Sequence, residues 1–452
     1  MTLAERPFSP TPDRQITVSA SLASTIALLA SVLGLIAFVL AFEPLVAALC
    51  GLALQLTIAV VAIRRGDPSA SWVDLRFIYV GMYGLYNSFY PISLLMGMEP
   101  SLSSRSAAVT TLWIGSSALF GFTLAHIIRP NRVGMMSFWQ SARIARPAVI
   151  PGVLLFGVFF MWYQLRGAGV NATTVAERRQ SVDMLYTQTF VVSGYLLSAA
   201  ICTSVFLMHR LPRLIRYVVV VVSGSYLFLL FRYGFRLQTL PVLLAFFILF
   251  RRRPALARMT PILAILVGTG LLFMGFIREN GSGGPTLMAL AANTEFSFPA
   301  QTLAFYVEHP KKLHWGYTYL HAPVLFIPRA IYPEKGITLA QQFLVDAFGT
   351  AKFQGYTFTF NTEAFLNFSY AGPFCLQLIA WIAINSAVRK RPPIPIWYLC
   401  LSLLAGEVNR SDFGAACYAV AFMWLGCVGL LRLSGTSLGP VLSGREEPIR
   451  SE

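Results

Sequence analysis

The feature that most constrains this chain is a succession of apolar runs, each about twenty residues long, repeated from one end to the other. A run of that length crosses a hydrocarbon layer as a helix, because each residue advances about 1.5 Å. The runs predict spans at 21–42, 44–63, 77–97, 107–128, 148–165, 186–208, 214–231, 237–250, 261–277, 366–388, 394–406 and 413–431. The expected fold is therefore all-α and polytopic, with about 12 transmembrane helices. Composition agrees: 56% of the 452 residues are hydrophobic and 12% are charged, against roughly 25% charged in soluble domains. The first run, Ser21 to Phe42, lacks a small-residue cleavage site behind it, so it reads as a span and not as a cleaved signal.

Charge placement tests that topology. If both tails (1–20 and 434–452) face the cytoplasm, the short inner connectors are 64–76, 129–147, 209–216, 251–258 and 389–392. They hold 17 Lys and Arg against two acids, a net of +15. The outer connectors carry a net of +1, and the tails cancel once Arg432 at the end of the last span is counted with them, which accounts for the chain's +16. Such a split follows the positive-inside rule. The basic residues are scattered over short connectors and build no single face, so nucleic acid is not an expected partner. Membrane lipids are. The six cysteines fall in or beside apolar runs without a Cys-x-x-Cys pair, which points to packing and not to zinc or disulfides.

One transmembrane domain, 21–433, thus carries a loop of about 88 residues, Arg278 to Phe365, between the ninth and tenth spans. A loop so much longer than a connector needs marks a functional segment, and parity puts it outside the cytoplasm. Within it, Leu287 to Val307 predicts a helix that His309-Pro310 stops. Leu320 to Ile331, broken by Pro323 and Pro328, is too short to span and reads as interfacial or re-entrant.

Arginines on the outer side gain nothing from orientation and need another reason. Arg232 and Arg236 flank a five-residue connector without an acid; Arg278 ends the ninth span; Arg329 follows Pro328; Arg410 precedes the last span; Lys335 lies near Arg329 in sequence. Any one of them can be explained by local pairing or snorkelling. As a group they suit an anionic ligand, since guanidinium offers paired donors matched to phosphate oxygens. Glu363 sits about one turn before a span among aromatic residues, where desolvation raises a carboxyl toward general-base range; a salt bridge to an outer arginine is the alternative. His309, His314 and His321 lack metal-ligand spacing, and no metal site is expected. His321 is the second candidate base, on the same segment as Arg329. The loop aromatics Trp315, Tyr317, Tyr319 and Tyr356 suit an interfacial belt or the stacking of sugar faces.

The run Gly316-Tyr-Thr-Tyr, then Ile327-Pro-Arg-Ala-Ile-Tyr-Pro-Glu-Lys335, then Asn361-Thr-Glu-Ala-Phe-Leu-Asn-Phe368 with Gly372, resembles the signature of Wzy-type O-antigen (oligosaccharide repeat-unit) polymerases. Arg410-Ser-Asp-Phe413 resembles a further element of that family, with Ser411 where glycine is commoner. The block covers about 100 residues; elsewhere the likeness is one of architecture. The resemblance implies a metal-independent, cofactor-free glycosyltransferase of the GT-C type in the bacterial inner membrane, its active site facing the periplasm. Its substrates would be undecaprenyl-pyrophosphate-linked oligosaccharides, with a chain-length regulator as a candidate docking partner. In that reading Arg232, Arg236, Arg278, Arg329, Lys335 and Arg410 neutralise the departing pyrophosphate, and Glu363, or else His321, takes the acceptor proton. The alternatives are an O-antigen ligase and, from another class, a transporter of lipid-linked oligosaccharide. Transporters usually place charge at mid-membrane, where this chain has almost none.

Overall fold

The computed structural model describes residues 43–68, 74–97, 102–130, 142–167, 188–233, 236–251, 296–327, 331–332, 334, 336–350, 357–388, 394–409 and 411–437. They form a helical bundle with one two-stranded ribbon. In chain order the α-helices are α1 Pro44–Gly66, α2 Leu75–Leu95, α3 Arg105–Ile128, α4 Val149–Gly167, α5 Gln188–Leu207, α6 Arg213–Tyr233, α7 Arg236–Arg251, α8 Phe298–Glu308, α9 Tyr317–His321, α10 Leu339–Phe348, α11 Phe360–Phe368, α12 Ala371–Val388, α13 Ile394–Leu403, α14 Ala405–Val408 and α15 Phe413–Leu433. Six segments are long and apolar enough to cross a membrane, and they fall on α1, α3, α4, α5, α6 and α15. The expectation of a helical membrane protein holds at that level. The expected spans 21–42 and 261–277 lie outside the described residues.

Two faces show where lipid belongs. Helix α4 exposes Phe156, Phe159, Trp162 and Tyr163, and α6 exposes Leu214, Tyr217, Val221 and Phe228. Exposed apolar surface of this extent is costly in water and natural against acyl chains. Inside the bundle, helices approach closely through small residues. A Cβ at Gly121 of α3 would run into the carbonyl of Phe374 on α12, so this crossing needs glycine.

Contacts between connectors sort the two ends of the bundle. At one end Arg105 pairs with Glu43 at 3.4 Å, and the Ser104 amide donates to Glu308 at 2.5 Å. At the other, Arg143–Ile144 (β1) pairs antiparallel with Thr436–Ser437 (β2). There too, Pro130 lies against Gly66. Segments expected on the same side therefore do meet, and α15 runs about 30 Å from one end to the other. One basic residue of the 64–76 connector turns inward: Arg76, 1% exposed, bonds Asp67 at 2.8 Å and Asp74 at 2.7 Å. Arg76 is part of a buried ion triad and not a solvated orientation charge.

The long loop builds a second, small apolar core against α3, with Leu303, Phe305, Tyr306, Phe343, Phe358 and Phe365 buried together with Ile114. The helix expected to stop at His309-Pro310 ends there, His309 donating its amide to the Phe305 carbonyl. Its expected first half, with Glu295, is outside the described residues. Helix α10 starts in a capping box between Thr338 and Gln341 and stops at Gly349, whose φ is +67°.

The tenth span was expected as one helix, 366–388. The structure divides that stretch: α11 ends at Phe368, Ser369 turns the chain with φ +57°, and α12 begins at Ala371. Gly372 is what permits this, because a Cβ there would strike the Ala364 carbonyl. Glu363 therefore belongs to a separate nine-residue helix that precedes the apolar one.

Candidate functional site around Glu363

Helix α11 is short and buried on almost every side, with Asn361, Thr362, Glu363 and Asn367 all inside. Polar groups in such a place must find partners or cost stability, and each of their bonds records what holds the helix. At its start, Thr359 caps the Thr362 amide at 3.1 Å. Asn361 then donates to the Tyr83 hydroxyl at 2.7 Å, and Gln377 donates to Asn361 at 3.4 Å. Tyr79 donates to Gln377 at 2.9 Å, so two tyrosines of α2 and one glutamine of α12 fix the helix in the bundle.

The other end is fixed by the loop before α9. The last carbonyls of a helix lack intrahelical donors. Here His314 and Trp315 supply them, donating to Leu366 at 3.0 Å and Asn367 at 3.2 Å. To aim successive amides that way the chain adopts φ +50° at Trp315 and +86° at Gly316. The second of these positions suits glycine for lack of a Cβ.

Between these anchors lies Glu363, 1% exposed. Thr318 of α9 donates its hydroxyl to Oε1 at 2.6 Å. The amide of Phe413, first residue of α15, donates to Oε2 at 2.6 Å. Asp412 caps the same helix, accepting from the Ala415 amide at 2.8 Å. Two carboxyls thus share one helix N-terminus, whose partial positive charge favours them as anions. Aromatic rings surround the pair: Tyr319 packs edge-on to Phe413 at 5.4 Å and stacks on Phe368, and Phe360 meets Phe413 at 5.7 Å. The Tyr319 hydroxyl is buried without a hydrogen-bond partner among the described residues.

Burial is the main reason that the Glu363 carboxyl is pushed up to about 7, opposed by the Thr318 hydroxyl, raised further by Asp412 and opposed again by the Phe413 amide. Burial also raises Asp412, against the pull of the Ala415 and Gly414 amides. Tyr319 is raised by burial and then by Glu363, and remains a protonated phenol. A carboxyl near 7 exchanges its proton in the physiological range, as a general base must.

Of the expected site residues, Glu363 and His321 fall within the described residues. His321 stacks on Tyr317 at 5.3 Å, with its Nδ1 3.4 Å from the Tyr317 hydroxyl. It rides on the same short helix as Thr318, three residues on. Arg232 and Arg236 fall at the end of α6 and the start of α7, their side chains outside the described residues. Arg278, Arg329, Lys335 and Arg410 lie outside them altogether. Sequence reasoning missed Thr318, Asn367 and Asp412. Asn367 was legible as the i+4 neighbour of Glu363, and Asp412 as an N-cap ahead of an apolar run. Thr318 stood only within the Gly316-Tyr-Thr-Tyr run, where nothing gave it a role of its own.

No protein-family model, curated protein or solved structure matches this chain.

Proposed function

We propose that this protein is a membrane glycosyltransferase that polymerises lipid-linked oligosaccharide repeat units at the outer (periplasmic) face of the bacterial inner membrane. The growing glycan is transferred from undecaprenyl pyrophosphate to the non-reducing end of a new undecaprenyl-pyrophosphate-linked unit. The observation that carries this reading is the buried Glu363 carboxyl, held by donors on both oxygens and placed at one end of α15. The connector segment with Arg143 and Arg146 meets the opposite end of that helix, where β2 follows it. Under the positive-inside rule the Glu363 end is then the outer one.

The chemistry is a substitution at the anomeric carbon. The acceptor hydroxyl loses its proton to Glu363 as its oxygen bonds that carbon, and the bond to the pyrophosphate oxygen breaks. Pyrophosphate leaves on its lipid with the electron pair. Negative charge grows on the leaving group, and Arg232, Arg236, Arg278, Arg329, Lys335 and Arg410 are the residues proposed to stabilise it. Arg410 stands two residues before Asp412 in sequence.

The test is chain extension by the purified protein in vesicles that contain only lipid-linked repeat units. Glu363→Gln should slow extension about 100-fold or more, and Arg329→Ala and Arg236→Ala should leave single units. Full-length ladders from both arginine variants would overturn the pyrophosphate clamp. Absence of any lengthening by the unmodified protein would favour a ligase, which needs a different acceptor.

A further inference from the structure

We propose that Thr318 is the positioning residue of Glu363, and that Asn367 locks it so that its single proton points at the carboxylate. This deepens the reading of Glu363 as the base and rests on it. Asn367 Nδ2 donates to Thr318 Oγ1 at 2.7 Å and to the Glu363 carbonyl at 2.8 Å. Asn367 Oδ1 accepts from the Gly316 amide at 2.8 Å. Both ends of the amide are engaged, and its orientation is determined. A hydroxyl has one proton to give. With a lone pair of Thr318 already accepting from Asn367, that proton goes to Glu363 Oε1 at 2.6 Å. Donation therefore runs in one direction, from the Gly316 amide through Asn367 and Thr318 to the carboxylate.

The consequence is electrostatic as well as geometric. Both partners of the carboxylate, Thr318 and the Phe413 amide, are donors, and donors favour the ionised form. They oppose burial and the negative charge of Asp412. Among the described residues the titratable groups that act on or respond to Glu363 are Asp412 and Cys417 from the α15 side and Tyr319 of α9. None of them is a cation. The hydroxyl of Thr318 is the side-chain donor that keeps Glu363 able to give up its proton, and it holds the plane of the carboxylate between α9 and α15. A bare packing role would need only its methyl group.

The experiment is infrared titration of the full-length protein in lipid vesicles, following the carbonyl stretch of the protonated carboxyl. Glu363→Gln identifies the band by removing it. Thr318→Val keeps the volume and removes the donor, and the midpoint should rise by about one pH unit, the size of one hydrogen bond to a charged group. Thr318→Ser should restore the original midpoint. Thr318→Cys, a weaker donor, should shift it the same way by less, and it serves if the valine variant does not fold. Asp412→Asn should lower the midpoint. A midpoint unmoved in Thr318→Val or Thr318→Cys overturns the positioning role. If the infrared midpoint moves while the pH profile of chain extension stays in place, Thr318 positions Glu363 but Glu363 is not the base.

Discussion

Glu363 and Arg76 are both buried charges, and they are held in opposite ways. Arg76 is matched by two aspartates, whereas Glu363 faces a second acid and neutral donors. Removing Arg76 would leave Asp67 and Asp74 buried without their cation, a change that costs about 3–5 kcal/mol in comparable sites. Arg76→Gln should therefore lower the melting temperature in detergent sharply, and an unchanged melt would remove the triad from the list of structural supports. For Glu363 the sign of linkage runs through its raised folded value. The folded chain holds the proton more tightly than an unfolded carboxyl near 4.5, so stability is lost as pH rises from there through about 7. Glu363→Gln should flatten the dependence of melting temperature on pH across that window. Of this site, the acid itself was legible in the sequence, because a lone glutamate among aromatics ahead of a span has few reasons to exist. Thr318 was not, since a threonine near a short helix is ordinary until the fold brings it 2.6 Å from a carboxylate 45 residues away.

At the scale of elements, the positions that bear most are glycines. Gly316 lets the loop before α9 turn its amides onto the end of α11, and Gly316→Ala should cost about 1–2 kcal/mol through its left-handed backbone. Gly121 sets how closely α3 and α12 approach. Gly121→Val should force them apart, with a loss of about 1–3 kcal/mol or more. Thermal unfolding monitored by circular dichroism separates the two variants from an innocuous control such as Gly152→Ala, where a Cβ meets open space. Helix positions were largely predictable from apolar run length, and α1, α3, α4, α5 and α15 fall where the runs place them. The break between α11 and α12 was not, because the expected span was set by the apolar run alone, which begins at Leu366 and passes through Ser369 without a charge. It is the proximity of Gly372 to the Ala364 carbonyl that makes the turn possible.

At the scale of the molecule, the bundle has two chemically different ends. One gathers arginine connectors and the β1–β2 ribbon; the other gathers Glu43, Arg105, Glu308 and the loop helices. The orientation proposed for them is open to direct labelling. With the exposed Cys375 replaced by Ala, a cysteine introduced at Lys311, in the loop, should react in spheroplasts with a membrane-impermeant maleimide. One introduced at Arg213 should react only after lysis. The reverse pattern would turn the protein over and place Glu363 in the cytoplasm, beyond reach of a flipped lipid-linked sugar.

What the sequence by itself determined is the class of structure, a helical membrane protein. It follows from a one-dimensional quantity, the length of apolar runs, which acts through the bilayer and needs no contact between distant residues. The tertiary structure alone decided which polar groups meet. Thr318, Asn367, Glu363, Asp412 and Tyr83 belong to four separate segments, and their hydrogen bonds exist only because helix packing closes the intervening chain. Burial, which moves the Glu363 carboxyl to about 7, is likewise a property of neighbours and not of the residue.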